Sequence, residues 1–367
     1  MLIPGHATEE GTERFLQRFG HRLPKHFKSV RGLQLSSIGV GTYLGDPTDG
    51  CDRGYTNALT CAMEMGVNVL DSAVNYRHQR SERAIGRALA QMVAGGNVQR
   101  DELFLATKGG FLALDGEPPP DPAAYFYQRV IESGLARPED VVAECHVITP
   151  AYLKDQIEVS RKNLGAATID LYYLHNPETQ LSRVDRSEFY DRLRRAFTAL
   201  EEAVTEGKIC SYGTATWNAF RVGRDRGDAV TLLEVLQAAK EAGGAGHHFR
   251  AIQLPFNLAM LEALQNRTQA MNTGEVSVLQ AAPRLGLMVF ASASLLQGQL
   301  AEGLPDEIRR KFPGLNTDAQ RSIQFVRSTP GVTSALVGMS HIEHVKENLA
   351  TASVPPLTLE EYRAIFT

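Results

Sequence analysis

Four residues of unlike chemistry follow one another along the chain: Asp71, Tyr76, Lys108 and His175. A phenol ionises near pH 10, so at neutral pH it can donate a proton but recovers one slowly as a base. An adjacent ammonium favours the phenolate and is expected to lower that value. A carboxylate would hold the ammonium charged and in place. A histidine beside the phenol could orient a substrate oxygen or share its proton. Together the four would make an acid–base device beside a polarised oxygen, without a hard nucleophile. Each also has a plainer reading. Tyr76 could be packing, Asp71 a helix cap and Lys108 a solvated charge. His175, before Asn176-Pro177, could be a turn residue. Only a shared location gives them chemistry.

That location has to come from the elements that carry them. Arg31-Gly32, between two short apolar runs, predicts a hairpin turn. Short β-branched runs then alternate with helical periods: 37–41 with 53–65, 68–71 with 79–93, 103–107 with 151–164, and 169–174 with 187–206. The second half continues with 209–214 and 229–242, 251–254 and a helix within 265–282, 287–291 and 317–328, and 333–337 and 341–351. Thr149-Pro150 reads as an N-cap and first-turn pair. Gly66, Gly165, Gly207 and Gly286 stand where a helix C′ glycine belongs.

Eight strand–helix units imply parallel strands with helical crossovers, and eight is the number that closes a barrel. The expected fold is therefore an α/β (β/α)8 TIM barrel forming one domain over 1–367. Residues 1–32 make an N-terminal extension and the start of a β-hairpin plug, and 109–150 is a long loop insertion after strand 3, over the active-site face. A doubly wound sheet would want G-x-G-x-x-G after its first strand. Gly39-Val40-Gly41-Thr42-Tyr43-Leu44-Gly45 has the wrong spacing for the third glycine. In a barrel, the C-terminal strand ends carry catalysis. Asp71, Lys108 and His175 fall at the ends of the second, third and fourth predicted strands.

Composition narrows the class. The chain has 367 residues, 43% hydrophobic and 22% charged, with net charge -4. That balance argues against a broad surface for nucleic acid or anionic lipid. No window approaches the roughly 18 apolar residues of a membrane span, and the first residues lack the pattern of a secretory signal. The four cysteines are scattered without a C-x-x-C pair, as expected of reduced thiols in a cytoplasmic protein.

From about residue 33 to about residue 353 the chain resembles the aldo-keto reductase superfamily. The resemblance rests on Gly39-Val40-Gly41-Thr42, the Asp71…Tyr76 pair, Thr107-Lys108 and Leu174-His175-Asn176-Pro177. Further along it rests on Gln253, Leu295…Gly298 and Val345-Lys346-Glu347-Asn348-Leu349-Ala350. It implies an oxidoreductase acting on small aldehydes or ketones, with NADP(H) preferred and NAD(H) as the alternative. Tyr76 would be the general acid for reduction, tuned by Lys108 and Asp71, with His175 orienting the carbonyl. The cofactor would lie along Gly41, Thr42, Thr216, Gln253, Leu295, Gln297, Gly298, Gly338, Ser340, His344, Glu347 and Asn348. Tyr43, Phe111, Asn176 and Trp217 would border the substrate.

Three positions depart from the family pattern. Gly213-Thr214-Ala215-Thr216-Trp217 replaces a frequent Gly-Val-Ser-Asn, Ser292 stands where a tyrosine often stacks on the nicotinamide, and Gly338-Met339…His344 replaces a Lys-Ser…Arg group. Ser340, His341 and His344 are then the nearest candidates for a 2′-phosphate, and Trp217 for the missing aromatic face. The insertion is expected to wall the substrate pocket. The short stretch after the last helix implies a minimal C-terminal specificity loop. His341 and His344, at i and i+3, lack a third partner for a metal. The rival readings are a cofactor-binding regulatory barrel resembling the potassium-channel β-subunit branch, and a non-redox lyase or sugar-modifying enzyme. The partner is a small-molecule carbonyl compound, and homo-oligomerisation stays open.

Overall fold

A computed structural model describes every residue except Thr273. A hairpin of β1 (Phe27–Val30) and β2 (Leu33–Ser36) precedes β3 (Ile38–Gly41), β4 (Val69–Asp71), β5 (Phe104–Gly109), β6 (Ile169–His175), β7 (Ile209–Ala215) and β8 (Phe249–Pro255). A second hairpin, β9 (Gln269–Met271) and β10 (Gly274–Val276), comes before β11 (Met288–Ser292) and β12 (Ser334–Gly338). Eight strands close a barrel in the order β11-β12-β3-β4-β5-β6-β7-β8, and every barrel pairing is parallel. The (β/α)8 expectation is met. The predicted C′ glycines work as anticipated: Gly66, Gly165, Gly207 and Gly286 all have left-handed φ, between 64° and 99°. Thr149 caps the helix Pro150–Leu164, with proline in its first turn.

The barrel interior is a packed core. Val69, Phe104, Leu171, Tyr173 and Phe290 form one buried cluster with Leu35 of the hairpin, which closes the N-terminal end as a plug. Differences from the sequence reading include two elements. The N-terminal extension contains a helix, Glu9–Phe19, capped by Thr8, with Phe15 and Phe19 as its buried aromatic anchors and Arg14 and Arg18 paired with Asp101 and Glu102. The helix expected within 265–282 is only Val278–Arg284; the β9–β10 hairpin occupies the preceding stretch, with Gly274 in a left-handed turn conformation.

The insertion after β5 is a small layer with its own apolar centre. Val130, Ala136 and Val147 pack on Tyr152 of the helix Pro150–Leu164. Its middle is a short helix, Pro122–Phe126, running into a wider π turn over Tyr127–Glu132.

At the opposite end, a buried ion pair ties the chain start to the barrel. Arg100 Nη2 meets Asp170 Oδ2 at 2.7 Å. The same carboxylate accepts from Leu105 N at 2.8 Å and Ala7 N at 2.6 Å. Removing one partner of such a pair leaves an uncompensated buried charge. Asp170→Ala is therefore expected to lower the unfolding free energy by about 3 to 5 kcal/mol in urea titration; a loss near zero would show that the pair does not hold this end.

Candidate active site

The barrel brings the four candidate residues to one place. Asp71 ends β4, Lys108 lies next to the end of β5 and His175 ends β6, all on the C-terminal face. Lys108 Nζ meets Asp71 Oδ1 at 2.5 Å and donates to Ser72 O at 2.7 Å. The other Asp71 oxygen accepts from Gln253 Nε2 at 2.8 Å. Both charged groups are buried. Tyr76 covers them: Lys108 Nζ lies 5.0 Å from the centre of its ring, within cation–π range. The Tyr76 ring meets His175 edge-on at 5.7 Å and Tyr43 at 5.0 Å. Phe111 packs against His175 at 4.9 Å.

The electrostatics correct one expectation. Lys108 does not make Tyr76 acidic. Burial pushes the phenol well above its ordinary value, and the charges on Asp71 and Tyr43 add to the shift. Part of the Tyr76 surface faces the cavity, yet enough protein surrounds the phenol to dominate. The ammonium is neutralised at short range by Asp71, so little net positive charge reaches the phenol. Burial raises Asp71 and lowers Lys108, each opposed by the other's charge. His175 is pushed well below its usual range by burial and by Lys108, so its ring is neutral.

A cavity of about 710 Å³ opens above these groups. Of the residues offered for cofactor or substrate from the sequence, its lining includes all but His341: Gly41, Thr42, Tyr43, Phe111, Asn176, Thr216, Trp217, Gln253, Leu295, Gln297, Gly298, Gly338, Ser340, His344, Glu347 and Asn348. Ser292 lines it as well. Lys108 does not; it lies under Tyr76 and is almost wholly buried. Of the insertion only Phe111 reaches the lining, so the expected wall is a single side chain. His341 lies outside the lining, and no cluster of metal-ligating residues occurs among the described residues.

A family model for the aldo/keto reductase family matches residues 37–229. The chain belongs to the aldo/keto reductase family. Among relatives of this reductase-family chain, a putative voltage-gated potassium channel subunit beta from Schizosaccharomyces pombe is 28% identical over 201 residues, 54% of this chain and 47% of that protein. The uncharacterized oxidoreductase YqkF of Bacillus subtilis is 24% identical over 342 residues, covering 91% and 92%. In shape the chain is similar to an aldo/keto reductase of Klebsiella pneumoniae crystallised with NADP and acetate, at TM-score 0.62 and 22% identity, covering 93% and 94%. An aldo-keto reductase from Bacillus halodurans in its holo form gives TM-score 0.60 and 20% identity, over 93% and 94%.

Around this reductase-family site stand residues that the sequence reading passed over. The Tyr76 loop stays attached to β5, because Val74 N donates to Lys108 O at 3.2 Å. Arg77, His78 and Gln79 then all take left-handed backbone, a strain that needs outside support. Arg77 supplies it through a buried contact with Asp52 and a 3.0 Å bond to Asp46 O. Gln79 Nε2 donates to Leu114 O at 3.1 Å. From the insertion, His146 Nε2 donates to His175 O at 2.7 Å while its Nδ1 accepts from Gln180 at 2.8 Å. The insertion thus fixes the backbone of His175 from behind.

Glu178 is the other unforeseen residue. Its Oε1 accepts from Trp217 N at 2.6 Å and Asn218 N at 3.2 Å, which sets the loop after β7. Burial pushes this carboxyl up to about 7 against the pull of those N–H groups. The folded state therefore holds the Glu178 proton more tightly than the unfolded chain. That contribution is complete below the ordinary glutamate range and is lost as pH rises through about 7. A glutamine can accept the same two N–H groups without titrating. Between pH 4.5 and 8, wild-type stability should fall relative to Glu178→Gln by about 3 kcal/mol, read by denaturant titration at each pH. Parallel pH profiles would show that Glu178 does not titrate this way.

Proposed function

We propose that the chain is an NADP(H)-dependent oxidoreductase of small aldehydes and ketones, or of the matching alcohols, with Tyr76 as the proton donor. The observation that carries this reading is a neutral phenol over a buried Lys108–Asp71 pair at the floor of a long cavity. The cavity suits an extended dinucleotide. No heavy atom stands within 4 Å of where a side chain on Gly298 or Gly338 would begin, so backbone is open to a ligand there. Asn75 Oδ1 and His175 Nδ1 are buried without partners near the reacting end. Thr216, Ser292 and Gln253 would meet the nicotinamide end, and Glu347 and Asn348 the adenine. Ser340 and His344 would take the 2′-phosphate, in place of the lysine and arginine frequent in the family.

When bound, the cofactor supplies or accepts the hydride. The rest falls to the chain. Tyr76 Oη gives its proton to the carbonyl oxygen as negative charge grows there. Its high resting value keeps that proton available over the whole neutral range. Lys108, held by Asp71 and Ser72 O beneath the Tyr76 ring, gives the growing phenolate only the stabilisation that its pairing with Asp71 leaves over. Neutral His175 offers a ring hydrogen bond to the same oxygen without a competing charge. Phe111, Tyr43 and Trp217 favour an apolar substrate body.

General acids of this kind contribute about 10²- to 10⁴-fold in rate. Tyr76→Phe should lower kcat for carbonyl reduction by that range, followed by loss of NADPH absorbance, while the NADPH Kd from fluorescence quenching stays within about twofold. Full activity in that variant would remove Tyr76 from the mechanism. The relative named as a putative channel subunit beta favours a second reading, a cofactor-holding regulatory barrel. Tight NADPH binding with no turnover on any carbonyl compound would select it.

A further inference from the structure

A second cavity, about 360 Å³ in volume, lies at the other end of the barrel. It sits where the turn of the first hairpin, the helix Leu232–Gly243 and the starts of β8 and β11 meet. Its size is within the roughly 300 to 1,000 Å³ of small-molecule sites. The floor is apolar, made by Leu236, Phe249, Leu285 and Leu287, with Leu233 exposed at the edge. The rim is cationic, made by Arg31, Lys240 and Arg250, with His247 beside them.

These cations have no counter-charge of their own. No carboxylate lines the cavity, and none of the three makes an ion pair among the described residues. Arg31 Nη1 donates to Gly286 O at 3.3 Å and Arg250 Nη1 to Phe249 O at 3.0 Å, both backbone acceptors. Glu201, whose charge reaches Arg250, is already held by His248 Nδ1 at 2.6 Å and Tyr212 Oη at 2.8 Å. Arg31 and Arg250 instead repel one another. Forked guanidinium donors over an apolar floor match a carboxylate on a hydrocarbon body.

We propose that this basal cleft binds a small amphipathic carboxylate, its head on Arg250, Arg31 and Lys240 and its chain on Leu236 and Phe249. The site is separate from the reductase cavity and does not depend on it.

Calorimetric titration of the NADPH-saturated protein with decanoate, decanol, acetate and inorganic phosphate tests this. Decanoate should bind saturably at one site, and the other three at least about tenfold more weakly, because both the head and the chain are needed. Arg250→Gln should weaken decanoate about tenfold or more, and so should the separate surface variant Lys240→Gln, whose folding is less at risk. Tyr76→Phe should leave it unchanged. Equal binding of decanol, equal binding of phosphate, insensitivity to both cleft variants, or no saturable binding would each overturn the proposal.

Discussion

The contact on which the site depends is the buried pair between Lys108 and Asp71. Two ions taken out of water cost several kcal/mol each, so such a pair persists only where geometry and further hydrogen bonds satisfy both. Ser72 O and Gln253 complete it. Adjacent parallel strands fix its position: Asp71 pairs with Ala106 in register, and Lys108 with Tyr173. The pair cannot move without moving the barrel. Burial above all, with the charge on Asp71 adding to it, keeps the proton on Tyr76, and the pairing of Lys108 with Asp71 leaves little positive charge to oppose this.

The surrounding structure works to hold that arrangement still. Three consecutive left-handed residues turn the chain after Tyr76, and Arg77 secures them. His146 clamps the backbone of His175, and Glu178 clamps the loop bearing Trp217. The long insertion is therefore chiefly a buttress. Its core packs on the side of the helix Pro150–Leu164, whose Tyr152 and Gln156 each bond Phe111 O at 3.0 Å. Phe111 is the one residue it presents to the cavity.

Much of this was legible because it depends on local signals. Strand–helix alternation and the C′ glycines at Gly66, Gly165, Gly207 and Gly286 specify the barrel, and strand ends bring Asp71, Lys108 and His175 together. What stayed hidden depends on contacts between distant segments. His146 gains its role from a residue 29 positions away and Glu178 from one 39 away. The helix Glu9–Phe19 carries only two large buried apolar anchors, Phe15 and Phe19, in an otherwise mostly polar run. The direction of the Tyr76 shift could not be read from residue types. Type and spacing suggest that lysine lowers it; burial and the competing carboxylate reverse the sign.

That sign is the centre of the account. Tyrosines labelled with ¹³C at the ζ carbon, followed by NMR from neutral pH upward in the wild type and Tyr76→Phe, would report it directly. The resonance missing from the variant should stay at the phenol position through pH 10, since burial holds the Tyr76 proton beyond the ordinary range. A transition to phenolate near neutral pH would contradict the account: Lys108 would then act on Tyr76 as a free charge, and burial would not be what holds the proton.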